Sequence, residues 1–193
     1  VRRLYRRITV RTPSLIASLL IAATALGASA VPSRAATFTL RGADFINGGA
    51  LPIIHEAAAP SIGCTGKNVT LTLRWSGAPT GTRGFALTMV DPDVTQIPGG
   101  FIHWVAYNIP LSARSIGPVV PYTYSKGTMG AGALGYFGPC PPLHAAAHHY
   151  HLTLYALNKA HLAGAHLTLA KLKAALAGHV LGTATLVGTF GRP

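Results

Sequence analysis

Residues 85–93 read Phe85-Ala86-Leu87-Thr88-Met89-Val90-Asp91-Pro92-Asp93. Phe85, Leu87 and Met89 alternate with Ala86, Thr88 and Val90. This is the period of two that sends successive side chains to opposite faces of a strand. The run stops at Pro92, which fixes φ and has no N–H to give to a ladder. The stretch is therefore a strand with two carboxylates at its tip, and a spacing of two predicts that Asp91 and Asp93 share a face. Taken alone, Asp-Pro-Asp is a plain turn whose side chains accept backbone N–H groups.

The same period recurs outward along the chain. Thr70-Leu71-Thr72-Leu73-Arg74-Trp75 places Leu71, Leu73 and Trp75 on one face. His103 to Asn108 is a denser apolar run, as in a strand covered on both sides. His151 to Leu157 alternates through Leu152, Leu154 and Ala156. Ala184, Leu186, Gly188 and Phe190 face away from Thr183, Thr185, Val187 and Thr189. Clusters of Gly, Pro, Ser and Asn bound these runs. One helix is predicted, with Thr168 as N-cap, Leu169, Leu172 and Leu176 on one face, and Gly178 as its C′ stop. Ser112 to Leu134 lacks periodicity and reads as long loops, which in a compact domain are often functional. The pattern predicts an antiparallel β core with few helices.

Two further clusters carry chemistry. His103-Trp104 opens the third strand, and Gly138-Pro139-Cys140-Pro141-Pro142 precedes His148-His149-Tyr150. His148 and Tyr150, two apart at a strand entrance, point one way, and His149 and His151 the other. The three prolines leave only Gly138 and Cys140 with N–H groups in that loop, and a glycine lets a ligand approach closely. Alone, the loop is a rigid connector. A carboxylate beside His103 would fix its tautomer and free the other ring N–H for an anion.

Two other chemistries compete. His144, His148, His149 and His151 are dense enough for a zinc or copper site. On a helix His144 and His148 would share a face, but Pro141-Pro142 and the strand after Tyr150 argue for loop, then strand. A hydrolase would use Asp93 and His103 as an acid–base pair. Against it, the chain has no serine-nucleophile motif and no Gly-rich phosphate loop.

Composition narrows the class. Hydrophobic residues make up 49% of the 193 residues, ample for one core. The first 35 residues read as a secretion signal and short linker. Arg2, Arg3, Arg6, Arg7 and Arg11 form a basic region, Leu15 to Ala28 is apolar and uncharged, and Ala28-Ser29-Ala30 or Ser33-Arg34-Ala35 offers a cleavage site. The apolar stretch falls short of the about 20 residues of a spanning helix. The mature protein is thus expected to be exported without a transmembrane span, with an uncleaved N-terminal anchor as the alternative. The net charge of +12 includes six arginines at positions up to 34; ten Lys and Arg then face four Asp and Glu, a net of +6. The ten are scattered, with no basic run interleaved with aromatics, so nucleic acid is not an expected partner. A diffuse positive field would still draw anions.

The combination of Asp91-Pro92-Asp93, His103-Trp104, the Gly138–Pro142 loop and His148-x-Tyr150 resembles the phosphatidylethanolamine-binding protein family, in particular its bacterial Raf-kinase-inhibitor-like branch. The resemblance runs in one register from Phe38-Thr39-Leu40 through Leu51-Pro52, Lys67-Asn68-Val69 and Trp75-Ser76-Gly77-Ala78-Pro79 to Phe190-Gly191-Arg192. It implies a mainly β domain over residues 36–193, with a large antiparallel sheet packed on a smaller one and a few peripheral helices. It also implies a non-enzymatic binding protein without a cofactor. The pocket would be formed by Asp91, Asp93, His103, Gly138, Cys140, Pro141, His148 and Tyr150. It would hold a small anion or a phospholipid headgroup, and a kinase or protease would be the protein partner. In that register Cys64 and Cys140 approach the same end of the sheet, and export favours a disulfide between them. Departures from the family pattern fall at the rim. Val94-Thr95 replaces Ala-Pro, Leu71 and Thr72 stand where relatives carry two prolines, His149 replaces an arginine, and Leu143 to Ala147 replaces a glycine-containing loop.

Overall fold

The computed structural model describes residues 36–193, and Thr9 alone before them. The expected signal segment, residues 1–35, otherwise lies outside the described residues. Five strands form the main antiparallel sheet. They are β5 (Gly84–Asp91), β6 (Phe101–Pro110), β8 (Ser125–Lys126), β9 (His148–Leu157) and β10 (Val180–Phe190), in the order β10-β9-β5-β6-β8. A three-stranded sheet, in the order β1-β4-β7, is built from β1 (Thr39–Gly42), β4 (Leu73–Ser76) and β7 (Ser115–Ile116). A short ribbon pairs β2 (Ala58–Ala59) with β3 (Cys64–Thr65).

The fold follows the alternation. Phe85, Leu87 and Met89 of β5 join Leu152, Leu154, Ala184 and Leu186 on one face of the main sheet, where Leu40, Leu73, Trp75 and Ile116 of the small sheet cover them. Ala86, Val105 and Tyr107 face the other way and pack against Leu162, Leu167, Leu172 and Leu176. The main sheet is covered on both faces at its centre, which is why seven of the eight β5 residues are buried. Burying each such aliphatic or aromatic side chain stabilises by about 1.5–3 kcal/mol.

Helix α1 (Leu169–Leu176) starts as predicted, with the Thr168 hydroxyl accepting from the Lys171 N–H at 3.3 Å. It ends before Gly178, whose φ of 74° is a left-handed value suited to glycine. Several element bounds differ from the sequence reading. β4 starts at Leu73, although Leu71 is buried. β9 starts at His148, three residues before the predicted run. Ser112 to Leu134 contains β7 and β8, each two residues long and too short for periodicity to register.

Two irregularities in β6 shape the sheet. Phe85 pairs with Ile109 but Leu87 with Ala106, so β6 carries an extra residue near Asn108, whose φ is 56°. Met89 pairs with Trp104 but Val90 with Ile102, so a second extra residue falls at His103. Such bulges bend a strand and re-aim a side chain.

Candidate ligand-binding site

Three strand ends meet at one end of the main sheet: the close of β5 at Asp91, the opening of β6 at Phe101 and the opening of β9 at His148. Asp91 and Tyr150 project toward the main core side, as alternation requires. The bulge at His103 breaks the alternation of β6 and sends His103 to the same side as Trp104. The His103 ring consequently meets Tyr150 edge-on, with centroids 5.0 Å apart.

Asp91 is 2% exposed and organises the group. Its Oδ1 accepts the Asp93 N–H at 2.9 Å, and its Oδ2 accepts the His148 Nδ1–H at 2.7 Å. The His103 Nε2 stands 4.0 Å from the same Oδ2. The His103 Nδ1–H donates to the Phe137 carbonyl at 2.8 Å. Burial holds the His103 imidazole below the usual histidine range, against the opposing pull of that carbonyl and of Asp91. Burial, with the Asp91 carboxylate adding to it, pushes the Tyr150 phenol well above its usual range, so it stays a neutral donor. The Tyr150 hydroxyl is buried and has no hydrogen-bond partner among the described residues.

These groups floor a cavity of about 400 Å³. Asp91, Asp93, His103, Cys140 and His148 line it. Its walls are largely apolar, from Ile62, Val94, Phe101, Ala131, Phe137 and Pro142. The sequence reading missed both aromatic walls, although their positions were suggestive. Phe101 precedes His103 by two on the same strand and packs on its ring at 4.8 Å, and Phe137 adjoins Gly138.

Several expected placements are corrected. Asp91 and Asp93 do not share a face, because β5 ends at Asp91 and the chain turns at Pro92. Asp93 lies at the rim, where its Oδ2 accepts the His149 N–H at 2.6 Å and the His149 Nδ1–H at 2.9 Å. The His149 backbone N–H, and then its ring, hold the Asp93 carboxyl below the usual range. Gly138 does not offer its N–H to the cavity, since it donates to the Asn68 Oδ1 at 2.7 Å. The glycine is required by packing instead. A Cβ there would stand 2.0 Å from the His55 carbonyl oxygen. Pro141 lies behind the wall, its carbonyl accepting from Arg192 Nη1 at 3.0 Å. Tyr150 likewise stands behind the lining residues. The expected disulfide between Cys64 and Cys140, by contrast, is formed, with Cα atoms 5.8 Å apart.

The competing sites are not assembled. Asp93 is paired with His149, and His103 with the Phe137 carbonyl, so these two do not form an acid–base pair. Among the described residues no group of three or more His, Cys, Asp or Glu side chains is arranged to hold a metal ion.

The family described as phosphatidylethanolamine-binding protein matches residues 41–191, a span that includes every residue of this site. The chain belongs to the phosphatidylethanolamine-binding protein family. Among its relatives in this family, a UPF0098 protein of Aquifex aeolicus is 33% identical over 156 residues, which are 77% of this chain and 85% of that protein. The UPF0098 protein YbcL of Escherichia coli is 33% identical over 146 residues, 72% of this chain and 78% of YbcL. A Mycobacterium tuberculosis protein named "Putative lipoprotein LppC" is 33% identical over 169 residues, 87% of this chain and 79% of that protein. The crystal structure of YbcL, described as a new member of the mammalian PEBP family, superposes with a TM-score of 0.74 at 28% identity. The match covers 82% of this chain and all of that one. The mainly β fold with a single α-helix among the described residues is thus that of the family.

Proposed function

We propose that this chain is an exported, non-enzymatic binding protein whose cavity holds phosphate or a phosphorylated headgroup. The observation that carries the reading is Asp91. A nearly fully buried carboxylate gathers two imidazoles at the floor of an otherwise apolar-walled cavity. Burying a carboxylate is costly unless it is hydrogen-bonded and paired, and a group so held at a cavity floor is a candidate functional group. The Tyr150 hydroxyl supports the reading too, as a buried donor without a protein partner. Family membership extends the proposal to a protein partner, a kinase or a protease.

Calorimetry with phosphoethanolamine and with inorganic phosphate tests the reading. Hydrogen bonds to charged groups contribute about 1.5–3 kcal/mol. His148→Ala is therefore expected to weaken binding about 10- to 100-fold. Wild-type affinity in that variant would remove the site. Binding of phosphate without phosphoethanolamine would change the ligand and keep the site.

Export is supported by the basic-then-apolar N-terminal order, by the disulfide and by the lipoprotein name of the LppC relative. No helix among the described residues is long and apolar enough to cross a membrane. In this reading residues 1–35 are the signal and linker and residues 36–193 the binding domain. N-terminal sequencing of exported protein is expected to begin near Ala36; a start at Val1 would favour the uncleaved anchor.

A further inference from the structure

The hydrogen bonds fix the protons of both imidazoles. A carbonyl and a carboxylate can only accept, so His103 carries its proton on Nδ1 toward Phe137, and His148 carries its proton on Nδ1 toward Asp91. In the neutral ring the other nitrogen is a bare acceptor. The two Nε2 atoms therefore present lone pairs, not donors.

The charge balance of the site points the same way. No Lys or Arg lines the cavity, while Asp91 and Asp93 do. The groups that bear on His103 are Asp91 from β5, Asp93 from the turn after it, and His148 and Tyr150 from β9. The Phe137–Pro142 loop brings the Phe137 and Gly138 backbone to His103 and the Cys140 backbone to Tyr150, with no charged side chain. Both Asp91 oxygens already accept N–H bonds. A bare anion would thus meet a carboxylate and two lone pairs, in a lining without a cationic Lys or Arg. Inside a low-dielectric cavity that arrangement is repulsive.

We infer that the site takes its anion together with a proton, either carried by the ligand as a hydrogen phosphate ester or taken from solvent onto the His103–His148 pair. The proton would convert an Nε2 lone pair into a donor and offset the charge of Asp91. The inference rests on the anion reading above and adds ligand selection to it. Oxyanions that bear a proton near neutrality are preferred over those that do not.

Sulfate is the discriminating probe, because it carries no proton in this range and must draw one through the protein. Sulfate is titrated into the full exported domain by calorimetry, in two buffers of different ionisation enthalpy, between about pH 6 and 8. Uptake of about one proton per sulfate is expected, with affinity falling about tenfold per pH unit at the alkaline end. Methyl phosphate, which titrates near pH 6, is expected to bind more tightly than sulfate. Sulfate binding without proton exchange would overturn the inference and leave the anion reading intact. Sulfate affinity that rises with pH would also overturn it, because binding would then release a proton rather than take one up. No binding of either anion at any pH would overturn both.

Discussion

Tyr150 is the residue whose chemistry and packing disagree. Its ring is fully buried among the core residues of β9, yet its hydroxyl has no partner among the described residues. A buried hydroxyl without a hydrogen bond costs about 1–3 kcal/mol by mutational measures. Tyr150→Phe should therefore leave stability unchanged or raise it by about 1 kcal/mol. Urea denaturation reads the change. A clear loss of stability would mean that the hydroxyl serves the fold. His103 shows the converse, with its Nδ1 committed to Phe137 and its ring wedged between Phe101 and Tyr150. The sequence pointed to both residues through spacing and family resemblance. It did not disclose the proton positions, because a tautomer is set by whichever acceptor the fold brings near.

At the scale of elements, the loop from Phe137 to Pro142 is held from behind. Gly138 donates to Asn68, and the Ala57 N–H donates to the Pro139 carbonyl at 2.9 Å. The segment at His55 to Ala57 comes so near that a methyl group at position 138 would collide with backbone. Backbone cannot swing aside as a flexible side chain can. Gly138→Ala is expected to cost about 3 kcal/mol, the upper end of ordinary overpacking, and chemical denaturation measures it. Near-wild-type stability would show that the segment can yield. The prolines and the glycine were legible as a stiff connector, but the reason for the glycine was not. Its neighbour lies more than 80 residues earlier in the chain, beyond any local pattern. The bulge at His103 is similar. A run of apolar residues announces a strand, while the extra residue exists only relative to the partner strand β5.

At the scale of the molecule, one clasp joins the cavity wall to the chain's end. Cys64–Cys140 ties β3 to the loop, and Arg192 spans the same place. Its Nε lies 3.3 Å from Glu56 Oε1, its Nη1 donates to the Pro141 carbonyl, and its Nη2 donates to the Gly63 carbonyl. The disulfide closes a sequence separation of 76 residues. Loop-closure entropy assigns such a link about 4 kcal/mol. Replacing both cysteines by serine should lower unfolding stability by about that amount in urea, and it should loosen the cavity, which Cys140 lines. A loss below about 1 kcal/mol would show that Arg192 and Glu56 hold the wall without the disulfide.

The sequence by itself determined the longer strands, the capped helix and the family, because period, capping and turn chemistry are properties of neighbours in the chain. It also named most of the residues that meet at the sheet end. Only the tertiary structure decided that Asp91 turns inward while Asp93 turns to the rim, that Asn68 takes the Gly138 amide, and that both imidazoles commit Nδ1 to acceptors of the protein. Each of these outcomes is a competition for a hydrogen-bond partner between residues far apart in the chain. Burial leaves so few partners available that the folded arrangement, not the local pattern, settles which pair forms.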